Sequence, residues 1–138
     1  KKNPLKKSPF FSLTLRKKLC RKLIKRHKKI QFNYYEDKLK SKTSIALVKF
    51  LKKRYKYKIF FIIGSDNLIN FHKWKNYKEL LKLSILVVFS RKGFDTKAKK
   101  SVIMKNLKNK NIKFLKNLKI DISSTRLRSK IINGSKKN

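Results

Sequence analysis

KIFFIIGSDNLINFHKW, residues 58–74, decides how this chain is read. Its apolar run, within YKIFFII (57–63), has no polar alternation, so both faces of the strand it forms are expected to be buried, as in a parallel sheet. Gly64-Ser65-Asp66 ends the run. Asp66 is one of only six acidic residues, and Trp74, the single tryptophan, follows it by eight positions. A missing Cβ at Gly64 leaves room for close approach to the backbone. Asp66 at a strand's carboxyl end is read either as the cap of a helix starting near Asn67 or as a ligand contact. Trp74 lies among charged neighbours in HKWKN and is read either as half-buried and structural or as a flat ring that stacks a planar ligand.

The stretches around it alternate in type. SLTLRKKLCRKLIKRHKK (12–29) places Leu15, Leu19 and Leu23 one turn apart, widened by Cys20 and Ile24, which predicts an amphipathic helix capped by Ser12. IQFNYY (30–35) alternates as a strand does. Thr43 caps a predicted helix that ends near Tyr55 and carries Leu47, Val48 and Leu51 on one face. A short helix over 77–83 leads into a second fully apolar strand, SILVVFS (84–90). A helix over 97–108 follows, then short strands IKFL (112–115) and LKIDI (118–122). SSTRLRSKIING (123–134) opens with hydroxyl caps and stops at Gly134, so it reads as a final helix. Helices alternating with doubly buried strands predict an α/β fold with a doubly wound, mostly parallel sheet, in one domain over residues 1–138. Such sheets bind ligands beyond the carboxyl ends of their strands.

Composition narrows the function classes. The net charge is +36, from 35 Lys and 7 Arg against six acids. Charge of this size attracts polyanions, so a small Lys-rich RNA-binding protein is one reading. The lysines are spread along the whole chain, however, and Arg, the better phosphate fork, is scarce. Lys, Asn, Ile, Phe and Tyr all have A/T-rich codons, and a compositional bias accounts for the charge without a dedicated footprint. Apolar residues at 40% exclude a disordered basic tail. Cys20 is alone, so there is no disulfide framework. No apolar run is long enough to span a bilayer, and KKNPLKKSPFF lacks the core of a signal peptide. A cytoplasmic setting is the expectation.

A second constellation carries chemistry. In IDISSTRLR (120–128) a strand gives way to Ser123-Ser124-Thr125 at a helix start, where free N–H groups and hydroxyls make an anion site. Arg126 and Arg128 stand in that first turn, which the helix dipole disfavours, and an anionic partner such as phosphate would explain them. Arg91 follows SILVVFS and is also at a carboxyl end. Asn3-Pro4-Leu5-Lys6 is a weak turn signal. His27 and His72 have no metal-ligand spacing.

Together and in this order, NPLK (3–6), the helix with Arg16, Glu36, SKTSIAL (41–47), FFIIGSDNLINFHKW (60–74), VVFSRKG (87–93) and IDISSTRLR (120–128) carry a resemblance. The chain resembles the nicotinate-nucleotide adenylyltransferases, NAD-biosynthesis enzymes of the nucleotidylyltransferase superfamily with a Rossmann-like sheet. The resemblance implies transfer of an adenylyl group from ATP to nicotinate mononucleotide, with Mg²⁺ accompanying ATP. It implies that Gly64, Asp66, Ser123, Ser124, Thr125 and Arg128 contact ATP. It implies that Trp74 stacks the pyridine ring and that Ser65, Lys6, Arg91 and Thr43 face the mononucleotide. Two departures stand out. The family's first strand and its HxGH-type phosphate loop have no counterpart here, so the chain as it stands is expected to fold poorly and form negligible dinucleotide. Ile45 and Ala46 replace the Asp-Thr pair that usually follows Thr43, which puts a contact of Thr43 in doubt.

Overall fold

A computed structural model describes residues 10–41, 43–106 and 111–116. The chain divides into two compact units, Lys1–Lys42 and Thr43–Asn138.

In the first unit, helix α1 spans Leu13–Ile24 and is capped by Ser12, whose hydroxyl accepts from Leu15 N at 3.2 Å. The predicted cap and helix are both present. None of the α1 residues is buried, and Leu15, Leu19 and Leu23 are all exposed. Residues 30–35 form no strand, contrary to the alternation of IQFNYY. Alternation marks a strand only where another strand's edge can pair with it. Here the aromatic residues turn instead to cations of α1. Lys17 Nζ lies 3.8 Å from the centroid of the Tyr34 ring, and the Arg21 guanidinium carbon is 5.4 Å from that of Phe32. Lys17 also reaches Asp37 at 3.7 Å.

The second unit is a parallel sheet with helices packed on it. Helix α2 (Ser44–Arg54) precedes strand β1 (Phe60–Gly64). Helix α3 (Ser65–Ile69), a 3-10 turn (Phe71–Lys73) and helix α4 (Tyr77–Leu83) connect β1 to strand β2 (Ile85–Phe89). Helices α5 (Asp95–Lys99) and α6 (Val102–Asn106) then lead to strand β3 (Ile112–Leu115). The strands pair in the order β1-β2-β3, all parallel, with Phe61 opposite Leu86 and Leu86 opposite Ile112. The predicted α/β fold with a parallel sheet is present. The strand predicted at LKIDI (118–122) and the helix predicted over 123–134 lie outside the described residues.

Register places Phe61, Ile63, Leu86, Val88, Ile112 and Phe114 on one face. That face meets Ile45 and Val48 of α2, Leu80 and Leu81 of α4, and Leu68, Phe71, Ala98 and Ile103 in one core. Burying such side chains stabilises by about 1.5–3 kcal/mol each. Lys49 and Glu79, 2.8 Å apart, tie α2 to α4 at the surface. The Asn111 amide donates to Leu81 O at 3.1 Å and anchors the start of β3.

Two expectations are corrected. β2 is buried as expected, but β1 is not buried on both faces, because Phe60 and Ile62 are 54% and 63% exposed. β1 is an edge among the described strands, and Phe60 and Ile62 alternate with Phe61 and Ile63, which take the core-facing positions. The single helix over 97–108 is broken into α5 and α6. Ala98 and Ile103 are both buried, yet at about 100° per residue they would lie roughly 140° apart on one straight helix. The break at Lys100-Ser101 lets both reach the core.

Candidate active site

The carboxyl ends of β1 and β2 lie side by side, with Gly64 in register with Phe89. Each strand turns there into a short helix, β1 through Gly64-Ser65-Asp66 and β2 through Ser90-Arg91. The two turns are tied together. The Ser65 hydroxyl, fully buried, accepts the Arg91 backbone N–H at 3.0 Å. Arg91 Nη1 then reaches back to Asp66 Oδ2 at 2.7 Å. The Asp66 side chain is 15% exposed and that of Arg91 is 47% exposed, so the carboxylate forms the floor of the pair and the guanidinium its outer face.

Gly64 has an extended backbone, with φ −84° and ψ 158°, that any residue adopts. Glycine is needed there for space. A Cβ built on it would stand 2.5 Å from Asp66 Oδ1 and 3.2 Å from Arg91 Cδ. The room left by the missing side chain is occupied by the chain's own ion pair. Asp66 is not the cap expected of a helix starting near Asn67: α3 already begins at Ser65 with Gly64 as its N-cap, and the Asp66 carboxylate engages Arg91 instead.

The β2 turn has a further partner that sequence reading passed over. Asp95, the first residue of α5, accepts the same Arg91 N–H through Oδ1 at 2.9 Å. Its other oxygen accepts the hydroxyl of Ser90. Gly93, at φ +81°, supplies the left-handed step that lets residues 91–95 turn back so tightly. The available signal was the rarity of acids. Two of the chain's six, Asp66 and Asp95, converge on one arginine.

Trp74 follows the 3-10 turn. Its ring lies 4.9 Å from that of Phe71, tilted by 35°, and 6.1 Å from that of Phe61, edge to face. It packs against the core and is partly buried. Thr43 caps α2, its hydroxyl accepting from Ala46 N at 3.4 Å, which is the cap expected from sequence. Gly64, Ser65, Asp66 and Arg91 are therefore brought together. Lys6, Ser123, Ser124, Thr125 and Arg128 lie outside the described residues.

No helix among the described residues is long and apolar enough to cross a membrane. Among them, no three His, Cys, Asp or Glu side chains converge as metal ligands would.

A strand–turn–helix crevice of this kind, at the carboxyl ends of parallel strands, is where α/β proteins hold nucleotides. Comparison with known proteins agrees. Residues 1–130 match the cytidylyltransferase-like family. A protein of Pelagibacter ubique named as a probable nicotinate-nucleotide adenylyltransferase is 39% identical over 128 residues, covering 93% of this chain and 71% of that protein. Proteins of the same name from Fusobacterium nucleatum and Aquifex aeolicus are 41% and 34% identical, covering 86% and 88% of this chain. The chain spans 61% of the length of the first of these two and 76% of the second. The chain belongs to the cytidylyltransferase-like family, among the nicotinate-nucleotide adenylyltransferases.

Proposed function

We propose that the protein transfers the adenylyl group of ATP to nicotinate mononucleotide, forming nicotinate adenine dinucleotide and releasing pyrophosphate. The observation that carries this reading is the joining of Gly64, Ser65, Asp66 and Arg91 at the carboxyl ends of two parallel strands, in a chain similar over most of its length to proteins of that name. In the reaction a phosphate oxygen of the mononucleotide attacks the α-phosphorus of ATP. The bond from that phosphorus to the bridging oxygen breaks, and the electron pair leaves with pyrophosphate. Such a transfer needs no covalent enzyme intermediate, only alignment and stabilisation of charge.

The residues divide between these tasks. Arg91, half-exposed and aimed by Asp66, offers its outer N–H groups to the mononucleotide phosphate. Lys6 adds positive charge for the mononucleotide, and Ser65 holds the turn from which Arg91 projects. Gly64 and Asp66 line the crevice for ATP, and Ser123, Ser124, Thr125 and Arg128 take its phosphates. Trp74 uses its partly exposed ring to stack the pyridine. Thr43, engaged as a helix cap, contributes its contact only if that cap and the ligand share the hydroxyl. Mg²⁺ would enter with ATP, held by phosphate oxygens and water rather than by a protein cage. It would offset charge on the departing pyrophosphate. The setting is cytoplasmic.

The test is turnover by the full-length gene product. With ATP and nicotinate mononucleotide it should release pyrophosphate and form the dinucleotide, both resolved by chromatography. Absence of product with this acceptor, or a clear preference for a non-pyridine acceptor, refutes the proposal.

A further inference from the structure

We infer that Asp95 is a positioning residue for Arg91, and that through it α5 sets affinity for the anionic acceptor; this rests on the adenylyltransferase reading above. The Arg91 backbone N–H is gripped from two sides, by Ser65 Oγ at 3.0 Å and by Asp95 Oδ1 at 2.9 Å. The second Asp95 oxygen holds the hydroxyl of Ser90, which is itself buried. One carboxylate thus bridges two consecutive residues at the exit of β2. The Arg91 side chain is pinned separately by Asp66 at 2.7 Å. Backbone and guanidinium are each fixed by their own acid, in a chain that has only six acids.

An ordinary role for Asp95 would be a first-turn acid that favours α5 through the helix dipole. The contacts point elsewhere. Both oxygens face back to the strand exit, four and five residues earlier, and clamp the turn that carries Arg91. A clamp on the backbone matters at this place because the long, half-exposed Arg91 side chain amplifies any pivot of its Cα. A shift of about 1 Å at a group that positions substrate is enough to cost a large factor in rate or affinity.

The test uses the full-length protein, with separate titrations of nicotinate mononucleotide and ATP. Asp95→Ala should raise KM for the mononucleotide about tenfold, while KM for ATP and kcat stay within about twofold. Asp95→Asn keeps an acceptor for the Arg91 N–H and a donor toward Ser90, and should stay within about threefold of the parent protein. Hydrogen exchange at the Arg91 amide should accelerate about tenfold in Asp95→Ala and little in Asp95→Asn. Should Asp95→Ala fail to fold, Asp95→Ser, polar but too short to reach both groups, carries the same expectation. An equal rise in both KM values, a fall in active fraction with both KM values unchanged, or equal losses for the Ala and Asn variants would overturn the inference. No turnover by the unmutated protein with this acceptor overturns the functional reading, and this inference with it.

Discussion

Substituting Gly64 by alanine tests how the crevice is built. The backbone there is extended, so the new methyl group meets no backbone strain. Taken alone, a Gly→Ala change at a compatible backbone stabilises by about 0.4–1 kcal/mol through the unfolded chain. Against this, the methyl would sit 2.5 Å from Asp66 Oδ1, well inside contact distance. Asp66 must rotate away, and its other oxygen then releases Arg91, now held at 2.7 Å. A partly exposed ion pair of this kind is worth about 0–1 kcal/mol. If instead the carboxylate cannot move, overpacking costs about 1–3 kcal/mol. Because the clash is with the end of a side chain, the lower figure of about 1 kcal/mol applies, and the gain through the unfolded chain reduces it to a net loss of about 0–0.6 kcal/mol. A double-mutant cycle in urea decides the matter. In an Asp66→Ala background the same Gly64→Ala change should become neutral or stabilising, by up to about 1 kcal/mol. An equal loss in both backgrounds would refute the claim that Gly64 exists to make room for the Asp66–Arg91 pair. The functional counterpart is weaker mononucleotide binding by Gly64→Ala, since Arg91 loses its anchor.

Other perturbations follow from the same contacts. Trp74→Ala removes a ring packed on Phe71 and Phe61 and should lower stability by about 2–3 kcal/mol, below the range for a fully buried tryptophan; an unchanged urea midpoint would contradict that packing. The same variant should impair binding of nicotinate mononucleotide while RNA binding stays nearly unchanged, and equal losses in both assays would argue against the ring-stacking role. Thr43→Ala should cost about 1 kcal/mol by removing the cap of α2, with Thr43→Ser restoring most of it, as read by thermal denaturation. Binding to RNA, if it is only the diffuse attraction of a +36 chain, should fall by roughly a thousandfold between about 50 and 200 mM salt. RNA affinity that survives this range would indicate a dedicated site.

Local signals carried a good part of the fold. The stretches 57–63 and 84–90 were legible as strands because each holds five consecutive apolar residues with a small residue closing the run, and β1 and β2 overlap them. The caps at Ser12 and Thr43 were legible because a cap needs only residues three positions away. IQFNYY misled because pairing depends on a distant edge that its own alternation does not encode, and cations of α1 met its rings instead. The break between α5 and α6 was hidden for a similar reason. Only the shape of the core requires both Ala98 and Ile103 to face it.

The site shows the same division. By itself the sequence determined that Gly64-Ser65-Asp66 ends one apolar strand, that Arg91 follows the next one, and that the motifs in their order resemble those of a nucleotide-binding α/β family. Periodicity, capping and residue order are local properties, and one chain is enough to read them. Only the tertiary structure decided what these residues do to one another. Twenty-five positions separate Asp66 from Arg91, and parallel pairing of β1 with β2 is what sets them 2.7 Å apart. The same pairing places Ser65 under the Arg91 amide, and the left-handed step at Gly93 swings Asp95 onto its other side. Gly64 changes meaning accordingly. Its missing side chain, read from sequence as space for a ligand, is the space in which the chain's own ion pair forms.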